Sequence, residues 1–106
     1  MTTGIRGCEN QSDTTVSVIN VEHPGDSVVL SAKSYSDVYA WISQHRNTPL
    51  SVQTKKGTCS IWDENWEIRG QWVGDPNTVL LAAVHSSPKD FKMTVDETGD
   101  ITIAPL

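Results

Sequence analysis

Short apolar runs alternate along the chain with clusters of Gly, Pro, Asn, Asp and Ser, and the dominant apolar spacing is two, the spacing of half-buried β-strands. Residues 4–8 read as a first strand, and the polar stretch 9–13 turns it into a second over residues 14–21, with Val16 and Val18 on one face. Glu22-His23-Pro24-Gly25-Asp26 is a turn, because Pro presets one dihedral and Gly supplies a positive φ where one is needed. Residues 27–32 follow with Val28 and Leu30 on one face, so residues 14–32 are predicted to form a hairpin. Residues 50–55 alternate again. Residues 78–84 are apolar on both faces, which predicts a central strand covered on both sides. At the end, Glu97-Thr98-Gly99 suits a three-residue loop with Gly99 left-handed, which sets Val95 opposite Ile101 and Met93 opposite Ile103.

One segment satisfies two periodicities. Val38, Trp41, Ile42 and His45 fall at helical spacing behind a Ser34-x-x-Asp37 capping pattern, while Val38, Ala40 and Ile42 alternate with Tyr39 and Trp41 as in a strand. Its aromatic and β-branched content favours the strand, with a short helix near residues 34–46 as the alternative. Nine or ten short strands with turn residues at nearly every junction predict an all-β chain, residues 1–106 forming a single-domain antiparallel β-sandwich, or alternatively a small β-barrel. A chain of 106 residues is long enough for one core.

Residues 58–72, TCSIWDENWEIRGQW, hold three of the four tryptophans and are predicted to be a hairpin. Its loop length decides which way each ring points, since a shift of one residue sends every side chain to the other face. A loop of Asp63 to Asn65 would set Trp62 opposite Trp66. An even loop would set Trp62 opposite Glu67, with Cys59, Ile61, Trp66, Ile68 and Trp72 on one face and Ser60, Trp62, Glu67, Arg69 and Gln71 on the other. The even register makes one face consistently apolar and is preferred. It buries Trp66 and Trp72 and leaves Trp62 in water among charged and amide groups.

Charge narrows the possible partners. Eight basic against thirteen acidic side chains give a net charge of −5, a field that repels phosphate backbones, so nucleic acid is not an expected partner. No run of 18 apolar residues predicts a membrane span, and the first residues lack the features of a signal peptide, so the chain is expected to be cytoplasmic or released without one. Cys8 and Cys59 are expected to be reduced, small buried hydrophobes in preference to a disulfide. The sequon Asn10-Gln11-Ser12 is read as turn chemistry.

Candidate chemistry is sparse. His23, His45 and His85 are far apart, neither cysteine has a partner at zinc-ligand spacing, and Asp96, Glu97 and Asp100 around Gly99 do not match a calcium loop, so no metal and no cofactor is expected. Glu67 with Asp63 or Glu64 could pair carboxylates, but on a surface hairpin with nothing to exclude water. Neither a G-x-S-x-G motif nor a glycine-rich phosphate loop is present, and the chain is not expected to be an enzyme. Binding is the better reading. Sugars offer apolar C–H faces and a rim of hydroxyls, so an aromatic platform beside carboxylate, amide and guanidinium groups suits them. Trp62 with Glu67, Arg69, Gln71, Asp63 and Asn65 supplies that set, with Trp41 and Tyr39 as further aromatic candidates. A non-catalytic, lectin-like domain is therefore expected, assembled as a homo-oligomer, most simply a dimer, to gain avidity. The alternative is a protein-binding module, an inhibitor, immunity protein or effector, using the same face.

Overall fold

The computed structural model describes residues 3–42, 46–83 and 90–106, the side chains of residues 3 and 39–41 excepted. The described residues form ten strands: β1 (Thr3–Asn10), β2 (Val16–Asn20), β3 (Val28–Leu30), β4 (Ser34–Ile42), β5 (Leu50–Thr54), β6 (Gly57–Glu64), β7 (Glu67–Trp72), β8 (Val79–Ala83), β9 (Asp90–Val95) and β10 (Ile101–Pro105). One 3-10 turn, Pro24–Asp26, caps the β2–β3 end, and none of the described residues is α-helical. The strands build a four-stranded sheet, β10-β9-β1-β4, packed on a six-stranded sheet, β3-β2-β5-β6-β7-β8. The fold is an all-β sandwich, and neither sheet closes into a barrel.

The local patterns account for most of the pairing. Val16 pairs with Leu30 and Val18 with Val28 in the predicted first hairpin. Val95 pairs with Ile101 and Met93 with Ile103 around Gly99 at φ 87°, as the turn chemistry requires. The ambiguous segment is strand through Ile42: the nine-residue β4 pairs antiparallel with β1 from Asn10 opposite Ser34 to Thr3 opposite Ile42. Val38 and Ile42 are buried in the core, and the aromatic and β-branched content outweighs the helical spacing.

Two features depart from expectation. β1 runs parallel to β9, so the sandwich is antiparallel everywhere except at this contact. β8 is not central: it is the edge of the six-stranded sheet, with Val79 and Leu80 43% and 49% exposed. A run apolar on both faces looks the same whether neighbouring strands cover it or leave it open.

The core lies between the sheets, from Ile5, Cys8, Phe91, Met93 and Val95 on one side to Val18, Leu50, Val52, Ile61 and Ile68 on the other. Cys8 and Cys59 belong to different sheets and are both free and buried. Burial pushes the Cys8 thiol up to about 12 and the Cys59 thiol to about 11. Asn10 of the sequon is buried at 1% exposure. Its amide donates to the Thr14 and Ser31 carbonyls at 2.8 and 3.0 Å, and its Oδ1 accepts from Ser12 Oγ at 2.6 Å. It fastens the end of β1 to the β2–β3 hairpin.

Candidate functional site

The β6–β7 hairpin closes on a two-residue loop, Asn65 and Trp66, whose φ values of 50° and 64° are both left-handed. Glu64 pairs with Glu67, Trp62 with Arg69 and Ser60 with Gln71. Neither predicted loop is the one formed. The pairing sits two residues beyond the preferred even register, and a slip of two preserves which side chains share a face. Cys59, Ile61 and Ile68 therefore face the core, while Ser60, Trp62, Glu67, Arg69 and Gln71 share the opposite face, as expected. Trp66 is the exception. It occupies the turn, 57% exposed, and fills no part of the core. Trp72 is partly buried against the core, with Lys56 Nζ 4.6 Å from its ring centroid.

The expected open platform at Trp62 is overturned. Its ring is on the outer face but only 1% exposed, and it stands apart from the main core cluster. Arg46, from the segment between β4 and β5, lies over it at 4.6 Å from the centroid. Arg46 Nη2 donates to Gln71 Oε1 at 2.5 Å, and Gln71 Nε2 donates to the Asp75 carbonyl at 2.9 Å. Arg69 donates to Glu67 Oε1 through Nε and Nη2 at 3.1 and 2.9 Å, and through Nη1 to Thr78 Oγ1 at 3.4 Å. The groups expected to meet sugar hydroxyls thus engage one another. Strand periodicity says which face a ring takes, and a distant segment decides whether that face is open. Asp63 lies opposite Ile68 at the end of the strand pair, and Asn65 is in the turn. The side chains of Tyr39 and Trp41, and His45 and His85, lie outside the described residues.

A different set of residues forms a recess at the end of the four-stranded sheet. About 400 Å³ of space is lined by Glu9, Asn10, Gln11, Lys33, Ser34, Tyr35 and Glu97. The β1–β4 register builds it by setting Glu9 opposite Tyr35 and Asn10 opposite Ser34. Tyr35 is 53% exposed, and its hydroxyl lies over Gly7, where an added Cβ would collide with it. That hydroxyl donates to Asp37 Oδ1 at 3.1 Å, which raises the phenol above its ordinary value. Glu9 accepts from Gln11 Nε2 at 2.7 Å and from Lys92 Nζ at 3.0 Å, and these bonds, Gln11 first, hold its carboxyl below the usual range. Lys92 Nζ is also 5.7 Å from the Tyr35 ring centroid. Lys33, at φ 53°, donates to the Gln11 carbonyl at 2.6 Å. The Tyr35 ring, two carboxylates, two amides, the Lys33 ammonium and the Ser34 hydroxyl converge here, with Lys92 bound to Glu9 beside them.

The sequence held only a faint signal for this recess, a tyrosine and Asp37 alternating outward on a strand. Its members lie at positions 9–11, 33–35 and 97, and only the pairing of β1 with β4 and the β9–β10 turn bring them together. Among the described residues, no cluster of His, Cys, Asp and Glu could hold a metal ion, and no helix is long and apolar enough to cross a membrane. Compared with protein-family models, curated proteins and solved structures, the chain matches none.

Proposed function

We propose that the chain is a non-catalytic carbohydrate-binding domain whose sugar site is the Tyr35 recess and not the Trp62 face. The observation that carries this reading is the half-exposed Tyr35 ring set over Gly7 beside an ionised Glu9 in a concave, polar surround. A pyranose would stack its C–H face on the ring and take hydroxyl hydrogen bonds in exchange for those that Glu9, Gln11, Lys33 and Ser34 make with their protein neighbours. The recess is shallow and open, so one copy binds weakly, and pairing copies in a homodimer would raise avidity by about 10²–10⁴. A glycan array is the test. Native protein should give a saccharide signal that Tyr35→Ala abolishes and Arg46→Ala retains. A blank array, or a signal indifferent to Tyr35→Ala, removes the reading.

A second reading, a protein-binding module, has its own observation in Trp66. The turn places a large exposed indole where glycine is the usual residue, and Glu64 faces Glu67 directly behind it. The left-handed turn costs stability, and an exposed Trp beside Glu64 suits a partner with an apolar pocket and a basic rim. Retention of a protein by the native chain but not by Trp66→Gly, alongside a blank glycan array, would favour it.

A further inference from the structure

Among the described residues the sandwich has four edge strands, and three of them are defended against pairing with another chain. β3 is only three residues long, β10 ends in Pro105, and β4 carries the charged Asp37. β8, Val-Leu-Leu-Ala-Ala, has no charge and no proline, and among the described residues it pairs with β7 alone. One irregularity interrupts it, at Leu81, whose side chain turns inward over Gly70.

Beside this edge β8 lies close to β10 of the other sheet. A groove of about 580 Å³ lies between β8 and β10, with Trp72, Leu81, Ile101 and Ile103 among its lining. Its rim holds the Lys56–Asp100 ion pair, 3.1 Å long, and Asp75, two carboxylates against one ammonium. Unpaired backbone and an apolar trough side by side are what an added strand needs. Its main chain can extend the ladder, and every second side chain drops between the sheets.

We infer that β8 accepts an extended segment of another protein by strand addition, a segment apolar at alternate positions, free of proline and ending in a basic residue near Asp75. A second copy of the chain fits less well. In a β8-to-β8 pairing the inward side chains Leu81 and Ala82 already pack on their own core, so neither copy could fill the other's groove. This site is separate from the Tyr35 recess and does not depend on it.

The probe is a synthetic peptide of alternating Val and Thr ending in Arg, about seven residues long, the length of an ordinary strand. Two control peptides replace the central Val by Pro, or every Val by Ser. Amide hydrogen exchange is followed residue by residue in the full chain. With peptide at about ten times its dissociation constant, the β8 amides should exchange about tenfold more slowly, and with either control they should change by less than about twofold. Tyr35→Ala and Trp66→Gly should both retain the effect, which separates this site from those above. No slowing by the Val peptide, or equal slowing by the controls, overturns the inference. Protection of β8 without peptide that rises with protein concentration, with doubled mass in sedimentation, gives the edge to a second copy and overturns it equally.

Discussion

The Arg46 guanidinium lies over the Trp62 ring, 4.6 Å from its centroid, and hydrogen-bonds through Nη2 to Gln71 on the neighbouring strand. Trp62 beneath it is 1% exposed, a buried indole where the strand pattern alone would leave an open one. Arg46→Ala should therefore shift tryptophan emission to the red and increase its quenching by iodide, at a cost of about 0.5–2 kcal/mol in denaturant unfolding. Unchanged emission would mean that other groups seal the ring.

Trp62 carries a second consequence. Its indole N–H has no hydrogen-bond partner among the described residues. A buried donor left unsatisfied costs about 1–3 kcal/mol. Trp62→Phe removes that donor along with part of the ring, so it should destabilise far less than Trp62→Ala, for which about 3–5 kcal/mol is expected. Equal losses for the two variants would show that the N–H is satisfied.

At the hairpin tip, Trp66 at φ 64° bears a strain that glycine does not. The left-handed region costs an L-residue roughly 1–2 kcal/mol, and glycine returns about 0.5–1 of that through its freer unfolded state. Trp66→Gly should leave the unfolding midpoint unchanged or raise stability by up to about 1 kcal/mol. A clear loss would mean that the half-buried ring contributes contacts which outweigh the strain.

Gly7 controls the Tyr35 recess through space alone. A Cβ at Gly7 would collide with the Tyr35 hydroxyl, at the end of a partly exposed side chain that can move. Gly7→Ala should therefore displace the ring and reduce saccharide binding about as much as Tyr35→Ala, while costing about 1–3 kcal/mol or less in stability. Undiminished binding with the alanine in place would take Tyr35 out of the site.

The buried thiols set an alkaline limit. Cys8 and Cys59 are raised from 9.0 to about 12 and about 11, chiefly by burial, so the folded state favours the neutral thiols. Their contribution is full below pH 9 and is lost as pH rises through 11 and 12, because only the unfolded chain ionises freely in that window. Urea midpoints should fall steadily above pH 9, and Cys8→Ser with Cys59→Ala should flatten the fall. Neither thiol should react with iodoacetamide in the native protein at pH 8.

Period-two alternation and turn residues determined the strands, the first and last hairpins and the division of the tryptophan hairpin into two faces, because each depends on neighbours within a few residues. A register error of two was harmless to that division, since side chains alternate with a period of two. Tertiary structure alone decided whether a given face meets water. Arg46 from another segment lies over the buried Trp62, β8 is an edge strand among the described residues, and Tyr35 meets Glu9 through the pairing of β4 with β1. Coverage is a property of what arrives from far along the sequence, and no local pattern carries that information.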